Sequence, residues 1–567
     1  MNILGIQKDH NSSACLFVDN ELVYYNQEER LSKFKKDTGL PIRTLQEILK
    51  IESTIDVLII SGYDSIFTEN LSIINIIEKL GFTRGIDFKF EPYYHSHHLS
   101  HAATAFYNSK FDNALVFISD GKGATYNLDN GDQAQETTSV FTASYPDQFG
   151  LVYRRFFTNS KDYQNASIVW DNAFTVDKKR PPRYLRKKSI IEIRNDYDLG
   201  FMYEGTSRSM ELDDEGGKLM SLQTFGVKDD SLPPVLTEDG KFNMDIFKFD
   251  EFNRHRGFDI GKYPSLTHQE QKINFSSQVQ ATFQNIGLNL IKDMLDKTGE
   301  KNLILSGGTA LNVVANSFYR KNLPSDINLY IEPMCGDEGN CIGLCQYYIQ
   351  TETKATEIKK PLSIYLGGHR PQYEYSLKET EFEIKDADEI LITDLIRAGH
   401  VVALYQGRSE AGPRALGNRS FLYDPRVVNG KDVVNMLKYR ESFRPFGAVV
   451  MQEYASDWFE LDKIKESPFM MYAVDIKDQK SNLIPAVTHV DNTCRIQTVT
   501  REQNQHLYNL LKTFNDETGV PMLLNTSFNL AGKAIVETLD DAISALRESS
   551  FEYLYLPEIK TVLYIKN

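Results

Sequence analysis

Three runs in this chain are continuously apolar, no longer than a strand, and stop at glycine: DVLIISG (56–62), ALVFISDG (114–121) and NLILSGG (302–308). An apolar run of that length without polar alternation reads as a strand buried on both faces, as in a partly parallel sheet flanked by helices. Ahead of and between them, NILGI, ACLFV and ELVYYNQEE read as a meander and TLQEILKI as a helix. FSSQVQATFQNIGLNLIKDMLDKTG reads as a long amphipathic helix stopped at Gly299. Apolar strands interleaved with helices predict an α/β architecture. None of these runs approaches the roughly 20 residues of a membrane span.

At 567 residues the chain exceeds one hydrophobic core. The segment QTETKATEIKKP (350–361) is charged, lacks large apolar residues and ends in proline, so it marks a boundary. It separates a first domain over 1–355 from a second α/β domain over 361–567, where LITDLIRAG, HVVALYQG, DVVNMLKY, PAVTHV and VPMLLNTSF supply the elements. Residues 154–190, with RR, KKR and RKK among aromatics, read as an irregular surface insertion. The net charge of −15 argues against a protein whose main task is gripping nucleic acid. Five cysteines without a CxxC pair, and an N-terminal MNILGIQKDHNSSA without a basic and apolar leader, predict reduced thiols in a cytoplasmic protein.

Four of the eleven histidines fall within YYHSHHLSHAATAF (93–106): His95, His97, His98 and His101. His97 and His101 are four residues apart, which on a helix points both rings to one side, the spacing of two ligands on one metal. Carboxylates must complete such a site. Asp120 ends the buried run FISDG, and Asp337 sits in the glycine-flanked loop MCGDEGN. Mixed His and Asp ligation suits iron, manganese or zinc rather than a thiolate site. The competing reading is a helix carrying surface histidines.

SGGTALN (306–312) joins a strand end to a helix start through Gly307 and Gly308, where backbone amides can approach a phosphate. DHNSSA and DGKGAT are comparable turns, and three such loops in one domain resemble the actin-like ATPase superfold. Farther on, the charge reverses locally. From Arg408 to Arg444 there are eight Lys/Arg and four Asp/Glu, set among the glycines and prolines of GRSEAGPRALGNRS and KYRESFRPF. Arginine forks suit phosphate and carboxylate oxygens, so this region reads as a polyanion pocket, with Arg495, Ser527 and Asn529 as added donors. The competing reading is ion pairing with the four interspersed acids.

Taken together, DHNSSA, HHLSHAA, EGGKLMSLQTFG, SGGTALN, GDEGNCIG, GRSEAGPRALGNRS, KYRESFRPF, HVDNTCRIQTV and NTSFNLAGKAIV resemble the signature blocks of the NodU/CmcH-type carbamoyltransferases over residues 5 to about 540. The resemblance implies an N-terminal actin-like ATPase (duplicated ribonuclease-H-like) domain followed by a C-terminal YrdC-like domain. It implies an ATP-dependent O-carbamoyltransferase that forms carbamoyl-adenylate from carbamoyl phosphate and ATP, with Mg²⁺. The first domain, carrying Fe²⁺ or another divalent metal, then transfers the carbamoyl group to a hydroxyl of a small-molecule natural product. By the same resemblance His97, His101, Asp120 and Asp337 are the metal ligands. His95 and His98 pack around them, and His10 takes the acceptor's proton. Lys438 and Arg440 with Ser527 and Asn529 match the KxR…SxN signature of the adenylate-forming site. Arg414 and Arg495 meet phosphate, and Gly307, Gly308, Asn312 and Gly336 meet the nucleotide.

The chain departs from the family pattern in three places. DGKGAT stands where the family often continues DGxGE, followed by about ten extra residues before ETTSV, with Glu136 the nearest acid. Glutamine and threonine stand in EGGKLMSLQTFG where alanines are common, and the insertion at 154–190 falls where the acceptor pocket is expected to vary. Transfer to a nitrogen or nucleoside, a metallohydrolase, and a non-catalytic nucleotide- or metal-binding regulator are the competing functions; a homodimer is left open.

Overall fold

The computed structural model describes all residues except 63–66, 94–96, 129, 161–165, 171–184, 213–215, 250–254, 354–360, 369–370, 374–381 and 566–567. His95 and most of the expected boundary 350–361 therefore lie outside the described residues. The chain forms two compact units, Met1–Val23 with Thr38–Leu362, and Tyr24–Asp37 with Ser363–Asn567.

The first unit contains two sheets of one topology. In the first, the order is Glu21–Gln27, Ser13–Val18, Asn2–Gln7, Thr54–Ser61, Thr83–Pro92. Asn2–Gln7 pairs antiparallel with Ser13–Val18 and parallel with Thr54–Ser61, which is parallel in turn to Thr83–Pro92. The second sheet repeats this order with Gln148–Thr158, Gln133–Ser144, Asn113–Ser119, Asn302–Ser306 and Asn328–Ile331, and extends it through Leu185–Arg194 and Ala166–Trp170. Again the central strand pairs antiparallel with its successor and parallel with the later arrival. This duplication is the actin-like arrangement. The three apolar runs are the central parallel strands, buried as their composition requires.

Residues 154–190 are not irregular at their ends. Arg154 and Arg155 lie buried in the strand Gln148–Thr158, and Leu185–Arg194 continues the same sheet. Their charges are tolerated inside because each meets acids: Arg154 pairs with Glu136, and Arg155 with Asp196 and Asp198.

The second unit is built on a ten-stranded sheet in the order Phe382–Asp386, Thr561–Ile565, Tyr553–Leu556, Val402–Tyr405, Arg419–Tyr423, Met522–Ser527, Gly447–Met451, Thr493–Val499, Ala473–Ile476, Phe459–Glu460. The segment Tyr24–Asp37 is tied into it by Arg30, a fully buried side chain that donates to the carbonyl of Gly412 at 2.7 Å. The architecture is α/β throughout.

Candidate metal centre and anion cluster

The helix His97–Asn108 is buried along its whole length, so the histidines are not a surface feature. Residue 97 opens the helix and residue 101 stands one turn on, which brings the two Nε2 atoms within 3.2 Å. Asp120 arrives from the end of the strand Asn113–Ser119, and Asp337 from the loop after Asn328–Ile331. His97 Nε2 lies 3.4 Å from Asp120 Oδ2 and 3.3 Å from Asp337 Oδ1; His101 Nε2 lies 3.5 and 3.2 Å from the same atoms. One ligand atom from each residue falls within 4.8 Å of all the others. Among the described residues this is the only such group.

These residues fit a divalent cation. Two imidazole nitrogens and two carboxylate oxygens gathered this closely are a donor set that divalent metals take. With neutral rings the four side chains carry two negative charges, which a divalent ion cancels. The electrostatics agree. Burial opposes charging His97, yet Asp337 and Asp120 outweigh it and hold the ring up at about 10. Burial opposes ionising Asp120 and Asp337 too, yet the two rings hold both carboxyls well below their ordinary range. A metal would replace the protons that the rings otherwise hold.

The glycine turn 306–308, far off in sequence, contributes to this centre. Asp120 Oδ1 accepts from the amides of Gly121 at 2.8 Å and Gly308 at 3.1 Å, which turns Oδ2 toward the histidines. Gly307 has φ of +85°, and a Cβ there would stand 2.3 Å from the Ser119 carbonyl oxygen, so only glycine lets the turn pass. Asn312 caps the helix Val313–Asn322 and exchanges hydrogen bonds with Gln280; Gly336 precedes the single turn Asp337–Gly339. His10 is exposed on the turn after Asn2–Gln7, and no contact recorded among the described residues joins it to the four ligands. His98 is not a ligand: its Nδ1 meets Ser139 Oγ at 2.9 Å and Glu136 Oε1 at 3.4 Å.

In the second unit the cations divide into two groups. Arg419 is fully buried, donates to the carbonyls of Gln406, Gly407 and Glu537, and lies over Tyr405 at 3.8 Å. Arg408 donates to the carbonyls of Leu366 and Gly367, Lys431 to that of Ser442, and Arg426 is bidentate on Asp424. The Glu410 carboxylate makes no ion pair among the described residues; it accepts from the amides of Leu416 and Asn418, fixing the loop.

The remaining cations gather. Lys438 is buried, and its amine reaches Ser527 O, Asn529 O at 2.8 Å and Asn529 Oδ1 at 3.2 Å, while Ser527 Oγ donates to Asn529 Oδ1 at 2.6 Å. Burial, then Arg440 and Arg444, hold the Lys438 amine well below its usual range. Arg495 is repelled by Arg414, Arg440 and Arg444, and its buried Nε has no hydrogen-bond partner. A guanidinium keeps its proton regardless, so repulsion falls on the lysine. Glu441 lies 3.6 Å from Arg444. What such a cluster can do chemically is hold a polyanion.

The family model for the carbamoyltransferase N-terminus matches residues 73–345, and that for the carbamoyltransferase C-terminus matches residues 393–562. An uncharacterized protein of Synechocystis is 29% identical over 98% of this chain and 95% of its own. Nodulation protein NolNO of Sinorhizobium fredii is 28% identical over 96% of this chain and 78% of its own. The 3'-hydroxymethylcephem-O-carbamoyltransferase of Streptomyces clavuligerus is 29% identical over 58% of this chain and 61% of its own. Among solved structures, T. kodakarensis HypF aligns over 64% of this chain and 49% of its own, about half its length, at 14% identity and a TM-score of 0.36.

Proposed function

The chain belongs to the carbamoyltransferase family, and on that footing we propose that it is an ATP-dependent O-carbamoyltransferase working in two steps. The observation that carries this reading is the gathering of Lys438, Arg414, Arg440, Arg444 and Arg495, in which cations repel one another and depress Lys438 and Arg495. Such a cluster is costly to fold and gains its return from a polyanion. ATP with Mg²⁺ and carbamoyl phosphate are the polyanions of this chemistry.

In the first step carbamoyl phosphate and one water give carbamate and phosphate. Carbamate oxygen then attacks the α-phosphorus of ATP, and pyrophosphate leaves, giving carbamoyl-adenylate. Arginine forks hold the phosphate oxygens bidentately and Lys438 neutralises charge that develops on them. Ser527 and Asn529 fix the lysine by accepting hydrogen bonds from its amine. In the second step an acceptor hydroxyl attacks the carbamoyl carbon and AMP leaves. A divalent metal, Fe²⁺ by resemblance, held by His97, His101, Asp120 and Asp337 supplies a Lewis acid for phosphate oxygens. His10, exposed on its turn, is the base for the hydroxyl proton, work suited to a neutral imidazole.

The test needs no acceptor. Purified protein is incubated with ATP, carbamoyl phosphate and Mg²⁺, and pyrophosphate is measured. Release that requires carbamoyl phosphate is the expected outcome. Absence of pyrophosphate from protein that binds ATP sinks the first step.

A further inference from the structure

Behind the four ligands lies a buried polar network that the carbamoyl chemistry above does not use. Glu136, Ser139 and His98 are fully buried and Arg154 nearly so. Glu136 Oε1 accepts from Arg154 Nε at 2.9 Å and from Ser139 Oγ at 2.9 Å. Burial opposes ionising Glu136, but Arg154 outweighs it, so the carboxyl carries its charge. Ser139 Oγ also accepts from Arg154 Nε at 3.0 Å and stands 2.9 Å from His98 Nδ1. The chain of contacts therefore fixes the orientation of the ring that lies between the two ligand histidines.

The backbone of the same strand holds the other side of the centre. The amide of Asp120 donates to Thr137 O at 3.0 Å, that of Gly123 to Glu136 O at 2.8 Å, and that of Glu136 to Ala124 O at 2.9 Å. The carboxylate returns to this turn as well. A Cβ on Gly123 would stand 2.8 Å from His98 Nε2 and 3.0 Å from Glu136 Oε2, two buried atoms without hydrogen-bond partners. One residue thus touches both the helix that carries two ligands and the turn that carries a third.

The geometry points to Glu136 as a positioning residue of the metal centre: through Ser139 and His98 it sets the helix of His97 and His101 against the turn of Asp120. This rests on the metal-centre reading above. Hydrogen-bonding partners that orient ligands typically control affinity 10- to 100-fold.

The test is Co²⁺ titration of the full chain without substrates, read by visible absorption and calorimetry, on wild type, Glu136→Gln and Ser139→Ala. The expected result is that Glu136→Gln binds Co²⁺ ~10- to 100-fold more weakly with a changed ligand-field spectrum, and Ser139→Ala shifts in the same direction by less. A double variant, Glu136→Gln with Arg154→Met, removes the stranded cation. Its melting temperature should recover while its Co²⁺ affinity stays low, which separates positioning from fold stability. Wild-type affinity and spectrum in Glu136→Gln overturn the proposal; if that variant does not fold, the same result in Ser139→Ala does so. A wild type that takes up no Co²⁺ sinks the metal-centre reading itself, whereas an unchanged variant beside a binding wild type sinks the assignment of Glu136 alone.

Discussion

The histidine–aspartate centre of the first unit and the cation cluster of the second are built on opposite terms. In the first, each positive or negative form has its partner within 3.5 Å, so rings and carboxyls answer one another even without an ion. In the second, Arg440 and Arg444 push against Lys438 and, with Arg414, against Arg495, so cation faces cation. A balanced site can be rigid before its ligand arrives; an unbalanced one is strained until it does. On the function proposed above, the metal centre is a resident feature of its fold, while the cluster is a place that substrate completes.

The largest effects should come from crossing the two. Lys438→Ala should lower pyrophosphate release by ~10²- to 10³-fold, the usual loss of one preorganised charge-stabilising group, with metal content unchanged. His101→Ala should do the reverse, losing metal by more than the ~100-fold attached to an outer partner while pyrophosphate release persists. Metal analysis and a pyrophosphate assay on both proteins check this; parallel losses in either variant would break the division of labour. Chelation of wild type should resemble His101→Ala, ending transfer to acceptor but not pyrophosphate release, and metal replacement should restore it.

A smaller effect sharpens the statement about strain. Arg495→Met removes a buried cation whose Nε has no partner, so the protein without ligand should melt at a higher temperature. ATP should bind ~10- to 100-fold more weakly, matching the ~1.5–3 kcal/mol of a hydrogen bond to a charged group. Calorimetric melting with and without ATP reads both. A variant less stable than wild type in the absence of ATP would mean the cluster is already neutralised from within.

How much of this was legible in the sequence follows from how local each signal is. His97 and His101 announce themselves by helical spacing, and Asp120 by ending an apolar run, because both patterns lie within a few residues. The duplication of the 3-2-1-4-5 strand order was legible only through the family resemblance, since the pairing of Asn113–Ser119 with Asn302–Ser306 is not written in either segment. Arg154 was read as surface because an arginine beside other cations usually is; only the fold reveals that Glu136 waits one strand away. The same limit applies to GRSEAGPRALGNRS. Its sequence shows several arginines, but nothing local distinguishes Arg419, spent on carbonyls, from Arg414, which joins the cluster. Nor could ELVYYNQEERLSKFKKD be seen to cross into the second unit, where Arg30 holds the Gly412 carbonyl.

The smallest predicted effect tests whether charge balance in the first unit extends past the ligands. Glu332 follows the strand that leads to Asp337, is fully buried, and meets no cation among the described residues. It accepts from the Met334 amide at 2.9 Å and Tyr330 Oη at 3.0 Å, and Asn108 at the end of the ligand helix lies 3.5 Å away. Burial lifts its carboxyl from 4.5 to about 7, against the pull of those hydrogen bonds. The fold therefore holds this proton more tightly than the unfolded chain does. Below about 4.5 both states are protonated and nothing is lost; as pH rises from there toward 7 the unfolded chain ionises while the folded state keeps its proton, so unfolding gains ground. Its contribution to stability falls through that window, by at most about 3 kcal/mol. Glu332→Gln keeps the shape and both hydrogen bonds but has no proton to lose. Its melting temperature relative to wild type should rise from about pH 5 and level off above about pH 7. A difference between the two proteins that is flat across that range would place a compensating cation near Glu332, and the first unit would then be balanced beyond its four ligands.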